Sequence, residues 1–342
     1  MTASASPVGI LRVSLATCLL SCLSGCGLGL VENQSGGGDN LPTQAAGPYG
    51  KLEVDSDTVA SEPFVVSVRR TNVRDPAPLW RADGGFRLWF GYEDDPNVDL
   101  SEIWYAELST LQDLPEVAPT PALTADATWE EDRVGAPSIL ELEDGRLVMF
   151  YQGGQTQRSI GRADSSDGGQ TWTKHPENPV LEGWYAPSVI ENPADGGGSW
   201  TLYGNRGGMP GIFRADSPDG DNWTPTGEAV IMPRVGTPEA YDRHSVSDPF
   251  VVVREISAGE YQYGMFFNAA DSGDAEASIS VGWAGSFDGF EWQRFDNPDG
   301  PVLAPEGPSE HGPAVLVAPA QGIMFYNELN QGVQAIAVAV HP

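Results

Sequence analysis

Residues 245–270, SVSDPFVVVREISAGEYQYGMFFNAA, contain two predicted strands separated by a polar turn at Gly259. Asp248 and Pro249 open the first strand, and its apolar run, residues 250–253, does not alternate with polar residues. Such a run is typical of a strand that is buried on both faces. Similar units begin at Asp75-Pro76, Ala136-Pro137, Ala186-Pro187 and Gly312-Pro313. Repeats of this length indicate a propeller or a solenoid.

The spacing of the five units predicts an all-β fold, a five-bladed β-propeller with four strands in each blade. The last unit ends without an outer strand. Residues 63–70 (PFVVSVRR) form one apolar run before the first unit. We expect this N-terminal strand to complete the last blade and close the ring. The sequence has no helical pattern.

A second repeat follows the third strand of three units. It comprises residues 165–172 (SSDGGQTW), 217–223 (SPDGDNW) and 286–292 (SFDGFEW). An Asp-Gly turn followed by tryptophan is typical of a hairpin whose aromatic ring packs back between sheets. In an up-and-down blade this turn joins strands three and four, on the face opposite the start of strand one. We therefore predict a structural role, remote from any ligand.

Residues 1–25 are predicted to be a signal peptide, because residues 10–23 are apolar but too few to span a bilayer comfortably. The ending Leu23-Ser24-Gly25-Cys26 resembles the bacterial lipobox, which implies cleavage before Cys26 and a lipid on its sulfur. Residues 26–50 are predicted to form a flexible tether and residues 51–342 the propeller. The protein is thus expected to be exported and anchored to a membrane of the cell envelope through the lipid on Cys26 only. An ordinary secretory signal is the alternative.

The charge and the cysteines limit the partners. The formal net charge is −30, which disfavours nucleic acid and an anionic membrane surface. Cys18 and Cys22 lie in the predicted signal peptide, so the mature chain has no disulfide and no cysteine metal site. No histidines are paired at a ligand spacing and no D-x-[DN]-x-[DN]-G loop occurs. We predict no metal, no cofactor and a monomer.

Ligands usually bind a propeller on the face where its inner strands begin, which also carries the turn between strands two and three. Polar or aromatic side chains recur at both places in all five units. The candidates before or at the inner strands are Arg74, Asp75, Arg133, Trp184, Tyr185, Asp242, Arg243, His244, Asp248 and Glu310; those that close strand two are Asn205, Arg206, Asn268 and Glu328. Polar loops and Asp-Pro turn chemistry explain any single one of them equally well. An exposed platform of Trp184 and Tyr185 would favour a sugar.

After residue 50 the chain resembles the five-bladed propeller superfamily of glycosidases, which includes arabinanases, β-xylosidases, invertases and levansucrases. The resemblance rests on the Asp-Pro strand openings, the S-x-D-G-x-x-W turns and two phrases, Asn178-Pro179-Val180-Leu181 and Gly300-Pro301-Val302-Leu303. It implies a carbohydrate ligand in the central funnel. It also implies three carboxylates, on the first, second and third blades.

In that pattern the first carboxylate is base or nucleophile, the second orients the substrate and the third is the acid. Asp75 matches the first position, whereas Ala136 and Ala186 occupy the other two. Hydrolysis needs an acid and a base or nucleophile, so Asp248 or Glu310 would have to be the partner of Asp75. Three hypotheses therefore stay open: a glycoside hydrolase or transglycosylating enzyme, a non-catalytic glycan-binding propeller, and a protein-interaction scaffold.

Overall fold

The computed structural model describes residues 50–51, 72–81, 84–93, 100–110, 118–193, 198–273, 279–294, 300–303, 310–317, 322–330 and 333–341. These residues form five antiparallel sheets, which we number as blades 1 to 5 in the order of their inner strands. The predicted five-bladed β-propeller is therefore confirmed. The predicted signal peptide, Cys26, the tether up to residue 49 and residues 63–70 lie outside the described residues.

Each blade begins with its innermost strand and continues outward. Blade 1 contains β2 (Asn72–Trp80), β3 (Phe86–Glu93), β4 (Glu102–Leu108) and β5 (Thr120–Leu123). Blade 2 contains β6 (Val134–Glu141), β7 (Leu147–Gly153), β8 (Ser159–Ser165), β9 (Thr173–Lys174) and β10 (Leu181–Glu182). Blade 3 contains β11 (Trp184–Glu191), β12 (Trp200–Arg206), β13 (Met209–Ser217) and β14 (Thr224–Ile231). Blade 4 contains β15 (Ser245–Ser257), β16 (Glu260–Ala270), β17 (Ile279–Ser286) and β18 (Gln293–Arg294).

Blade 5 is closed by the N-terminal part of the chain. It contains β19 (Glu310–Val317), β20 (Gly322–Asn330), β21 (Val333–His341) and, outermost, β1 (Gly50–Lys51), which pairs antiparallel with β21. An N-terminal strand thus closes the last blade, as predicted. The residues are different: Gly50 and Lys51 occupy the position that we assigned to residues 63–70.

The outer strand of blade 1 is short. It ends at Leu123, and a 3-10 turn follows at Thr128–Glu130. Glu130 is fully buried, and its carboxylate accepts hydrogen bonds from the backbone N–H groups of Asp126 and Ala127. These contacts curl the backbone, so residues 122–129 do not continue as one strand.

The apolar core lies between the blades, because each sheet packs on both of its neighbours. Alternate residues of one strand face different neighbours: Met149 packs in the cluster between blades 1 and 2, whereas Val148 and Phe150 pack in the cluster between blades 2 and 3. In blade 4, Phe266 faces blade 5, while Met265 and Phe267 face blade 3. Burial on both faces explains why the central runs are apolar without alternation.

The three S-x-D-G turns follow the C-terminal end of the third strand in their blades, and each turn contacts a neighbouring blade. The Trp172 ring packs edge-on against Trp89 of blade 1, and the Trp89 indole N–H donates to the Gly169 carbonyl at 2.8 Å. The other two tryptophans, Trp223 and Trp292, likewise pack edge-on against the preceding blade. Hydrogen bonds, first of all from the Thr171 hydroxyl, lower the pKa of Asp167 to about 2. The turns therefore stabilise the ring, at the end away from the start of the inner strands.

Each inner strand contains a bulge at the X-Pro pair with which its unit begins. Two residues, such as Asp75 and Pro76, face one residue of the neighbouring strand, and the register shifts at the same place in all five blades. The residue before each proline has a positive φ; these residues are Asp75 (53°), Ala136 (45°), Ala186 (51°), Asp248 (47°) and Gly312 (64°). For a residue other than glycine this conformation costs on the order of 1–3 kcal/mol. The bulges turn these five side-chain positions towards one place.

Carboxamides of the preceding blade hold four of the five bulges. A side-chain oxygen at the end of strand two accepts a hydrogen bond from the backbone N–H of the left-handed residue in the next blade. The pairs are Asn327 with Asp75 (2.9 Å), Gln152 with Ala186 (3.3 Å), Asn205 with Asp248 (3.0 Å) and Asn268 with Gly312 (2.9 Å). The equivalent position in blade 1 is Gly91, where a Cβ would lie 3.2 Å from the Arg74 side chain. These contacts join the blades at the start of their inner strands.

We predict that Asn205→Ala destabilises the propeller. The Asn205 side chain accepts from Asp248 and donates to the carbonyls of Gly211 and Val246. Each buried group that loses its partner costs about 1–3 kcal/mol. Urea unfolding will measure the loss, with Gln170→Ala, which truncates an exposed residue, as the control. Equal stabilities of the two variants would show that the carboxamides do not hold the ring.

Candidate functional site

The five bulges surround a pocket at the centre of the ring. It is lined by the X-Pro pairs of all five blades together with Phe250, and it encloses about 350 Å³ including space open to solvent. The pocket is on the face where the inner strands begin, which is the face that the sequence analysis selected.

Asp75 and Asp248 are the carboxylates that line this pocket. The Asn268 amide donates to Asp248 Oδ2 at 2.7 Å, as does the Ser247 hydroxyl. The Asn327 amide lies 3.4 Å from Asp75 Oδ1, and the Asp75 side chain is 27% exposed. Both carboxylates are thus oriented by donors from beside the pocket and keep surface for a ligand.

The pocket is chemically divided. Asp75 belongs to blade 1 and Asp248 to blade 4. These two blades flank blade 5, where the residue before the proline is Gly312. A Cβ on Gly312 would lie 3.4 Å from Asp75 Oδ1. Ala136 and Ala186 line the opposite side, on blades 2 and 3. The acidic half therefore faces a half with methyl groups.

Arg74 and Arg133 belong to a charge cluster between blades 1 and 2. Both approach Glu93, which is 7% exposed: Arg133 bonds to Glu93 Oε1, and Arg74 lies 3.9 Å from Glu93 Oε2. Arg74 also lies 3.9 Å from Asp75. Both guanidiniums thus interact with carboxylates of the protein itself.

The two predicted aromatic residues have different environments. Trp184 is only 2% exposed and packs in the core between blades 2 and 3, so it does not form an exposed platform with Tyr185. Arg206 lies over it, with its guanidinium carbon 5.5 Å from the ring centroid. Tyr185 is half-buried, and Arg158 lies 4.8 Å above its ring. Burial, and then the charge of Asp248, raise the pKa of Tyr185. Tyr185 therefore presents an aromatic ring and a hydroxyl beside Asp248.

Asp242 has a structural role instead of the predicted contact with a ligand. It is 0% exposed, and its two oxygens pair with Arg234 at 2.5 Å and Arg294 at 2.7 Å. Arg234 and Asp242 lie near the two ends of the loop 232–244, whereas Arg294 lies on β18. The ion pairs therefore fasten this loop to blade 4.

The remaining candidates lie on the same face in varied surroundings. Asn205 and Asn268 are 2% and 4% exposed, and they bind the bulges of the next blades. Arg243 bonds to Asp271, and His244 is exposed next to Gly273. Glu310 and Glu328 are opposite one another in the register of blade 5, at the funnel end. The catalytic assignments of Asp75, Asp248 and Glu310 stay predictions.

Sequence reasoning missed Arg158. It lies in the turn between β7 and β8, on the predicted face, but five residues beyond the end of strand two, where no motif marks it. Within the described residues no group of three or more histidine, cysteine or acidic side chains is placed to hold a metal ion. No helix in the described part of the chain is long and apolar enough to cross a membrane.

Neither a protein-family profile nor a curated protein matches the sequence. Among solved structures, a glycosyl hydrolase from Bacteroides ovatus is similar, with a TM-score of 0.64 and 15% identity over 89% of this chain and 96% of the other. The structure reported as "The GH130 family of mannoside phosphorylases contains glycoside hydrolases that target beta-1,2 mannosidic linkages in Candida mannan" gives a TM-score of 0.64 and 17% identity, with coverages of 88% and 96%. The chain has the fold of the five-bladed glycosidase propellers.

A fructofuranosidase from Schwanniomyces occidentalis is a further neighbour, with a TM-score of 0.57 and 15% identity. The similarity covers 85% of this chain but 64% of the fructofuranosidase. At such identities the similarity establishes the propeller fold only. The chemistry has to be inferred from the residues of the funnel.

The environment of Asp242 gives a testable contrast with a surface carboxylate. We predict that Asp242→Asn destabilises the protein by about 3–5 kcal/mol, because it leaves two arginines without their buried partner. Asp271→Asn removes an exposed partner of Arg243 and is expected to cost about 1 kcal/mol or less. Urea unfolding of both variants measures the difference; similar stabilities would contradict the structural role of Asp242.

Proposed function

We propose that the protein binds a glycan in the central funnel, with Asp75 and Asp248 as acceptors for sugar hydroxyls. The observation that carries the proposal is that these two carboxylates line one pocket at the start of the inner strands. Ionised carboxylates offer acceptor sites only, which suits the hydroxyl groups of a sugar. The half-buried Tyr185 adds an aromatic surface on the neighbouring blade.

The contacts of the two carboxylates favour binding over turnover. An acid catalyst must hold a proton at the working pH. Asp248 accepts hydrogen bonds from an amide and a hydroxyl, and Asp75 lies beside an amide and a guanidinium. Both carboxylates thus already interact with donors of the protein itself. The alanines on blades 2 and 3 remove the two other carboxylates that the resemblance to glycosidases implies.

Hydrolysis is the second candidate, because two carboxyl groups in one pocket are the minimum that the reaction needs. Asp75 would be the base or nucleophile, with Asp248 or Glu310 as its partner. The five-bladed glycosidase fold is compatible with this chemistry.

A glycan array followed by calorimetry with the purified protein tests the proposal. We predict that at least one oligosaccharide binds, and that Asp75→Asn and Asp248→Asn each weaken binding about tenfold by removing a charged acceptor. Asp144→Asn is the matched control, since Asp144 is exposed and pairs with Arg146 in the β6–β7 turn at the other end of the blade. Binding by the wild type that both funnel variants retain in full would place the glycan elsewhere.

The same oligosaccharides distinguish binding from hydrolysis. Chromatography of the incubated ligands will show products if the protein is an enzyme, and Asp75→Asn will then abolish them. Ligand that is bound but recovered intact supports the non-catalytic function. No binding to any glycan would leave the interaction scaffold as the remaining hypothesis.

We further propose that the mature chain is a lipoprotein held at Cys26, with the funnel facing away from the membrane. The topology of blade 5 supports this orientation. Gly50 pairs with Val340, near the end of β21 that lies opposite the funnel. A tether of residues 26–49 would therefore leave from the face opposite the ligand.

Mass spectrometry of the N-terminal peptide from the cell envelope tests the anchor. The expected peptide begins at Cys26 and carries the mass of a lipid. Cys26→Ser should move the protein from the membrane fraction to the soluble fraction, whereas the control Cys22→Ser should not. An unmodified N-terminus at another residue would refute the anchor.

A further inference from the structure

Blades 2 and 3 carry two arginines at the funnel that lack a carboxylate partner among the described residues. The chain has a net charge of −30, and most described arginines pair with an acidic side chain, as Arg146, Arg162 and Arg214 do. Arg158 and Arg206 instead contact aromatic rings. Their positive charges therefore remain available to a ligand.

Aromatic rings hold both guanidiniums in place. Arg158 is exposed and lies 4.8 Å above the centroid of the Tyr185 ring. Arg206 lies 5.5 Å from the centroid of Trp184 and 5.3 Å from that of Phe213. Stacking on a ring fixes the plane of a guanidinium and leaves its N–H donors free at the edge. Such an arrangement is prepared for an acceptor that approaches from the funnel.

Tyr185 adds a neutral donor beside Arg158. Its hydroxyl makes no hydrogen bond within the described residues. Burial raises the pKa of Tyr185, so the phenol keeps its proton at neutral pH. A planar anion that reaches Arg158 can thus meet a second donor at Tyr185.

The residues that precede the five prolines explain why an anion would bind on the side of the pocket formed by blades 2 and 3. Asp75 and Asp248 repel a negative group on the other side. Ala136 and Ala186 place methyl groups on blades 2 and 3, where the resemblance to glycosidases implies carboxylates. The substitutions remove the repulsion where the unpaired arginines lie.

We propose that the glycan in the funnel is acidic, and that its anionic substituent lies on blades 2 and 3 against Arg158 and Tyr185. This proposal rests on the glycan-binding function proposed above and names its ligand class. The planar fork of arginine matches the carboxylate of a uronic acid. A sulfate ester supplies the same charge in a tetrahedral group.

The test compares an oligosaccharide of uronic acid with its carboxyl methyl ester and with a sulfated neutral oligosaccharide. Calorimetry should show that the acid binds about tenfold more tightly than the ester, the effect of one charge-assisted hydrogen bond. Arg158→Gln should abolish this preference, and Arg158→Lys should retain part of it. Arg146→Gln, which removes an exposed arginine at the other end of blade 2, is the matched control and should change nothing.

Ala186 offers an independent variant. Asp75 and Asp248 show that this bulge accepts aspartate in the left-handed conformation, so Ala186→Asp is expected to fold. It should weaken binding of the acidic ligand about tenfold through charge repulsion and leave the methyl ester unaffected. Ala186→Asn, of the same size but uncharged, is its control.

The outcomes separate this inference from the proposed function. Equal binding of acid and ester, or a preference that survives Arg158→Gln, overturns the acidic ligand and leaves the glycan-binding function standing. Tighter binding of the sulfated ligand than of the uronate overturns the carboxylate assignment. No binding to any of the three, together with a blank glycan array, overturns both proposals.

Discussion

The hydrogen bond that a backbone N–H donates to a side-chain carboxamide oxygen of the preceding blade is the contact on which this propeller depends at its centre. Each inner strand contains a left-handed residue before a proline, a conformation that is unfavourable for all but glycine. In four blades the N–H of that residue is held by Asn or Gln of the preceding blade. The same bond therefore stabilises the bulge and joins two blades. The pocket exists because the bulges turn five side-chain positions inward.

Contacts between blades also dominate farther from the axis. The apolar clusters lie between sheets, and the tryptophans of the S-x-D-G turns pack against the preceding blade. A blade alone would expose two apolar faces. Each blade therefore needs a neighbour on both sides, which requires a closed ring. Gly50 and Lys51 contribute to this closure, because they join the first described residues to the last blade.

The identity of the residue at five repeated positions sets the chemistry of the pocket. All five residues before the prolines share one backbone conformation, and aspartate, alanine and glycine all occur among them. Their arrangement leaves negative charge on blades 1 and 4, whereas blades 2 and 3 carry two arginines that have no carboxylate partner in the described part of the chain. Such a separation of charge would orient the ligand that we propose, which carries both hydroxyl groups and an anionic group.

The sequence by itself determined the propeller, the number of blades and the face of the pocket. These features depend on local patterns: apolar runs buried on both sides, the X-Pro openings and the S-x-D-G turns. Only the tertiary structure decided which polar residues serve the fold. Asp242 and Asp248 look alike as aspartates before an inner strand, yet the first is enclosed by two arginines and the second lines the pocket. Arg158 belongs to no motif, and Asp75 is held by Asn327, 252 residues away. Partners so distant in the chain meet only when the ring closes, because the contacts that assign their roles run between blades.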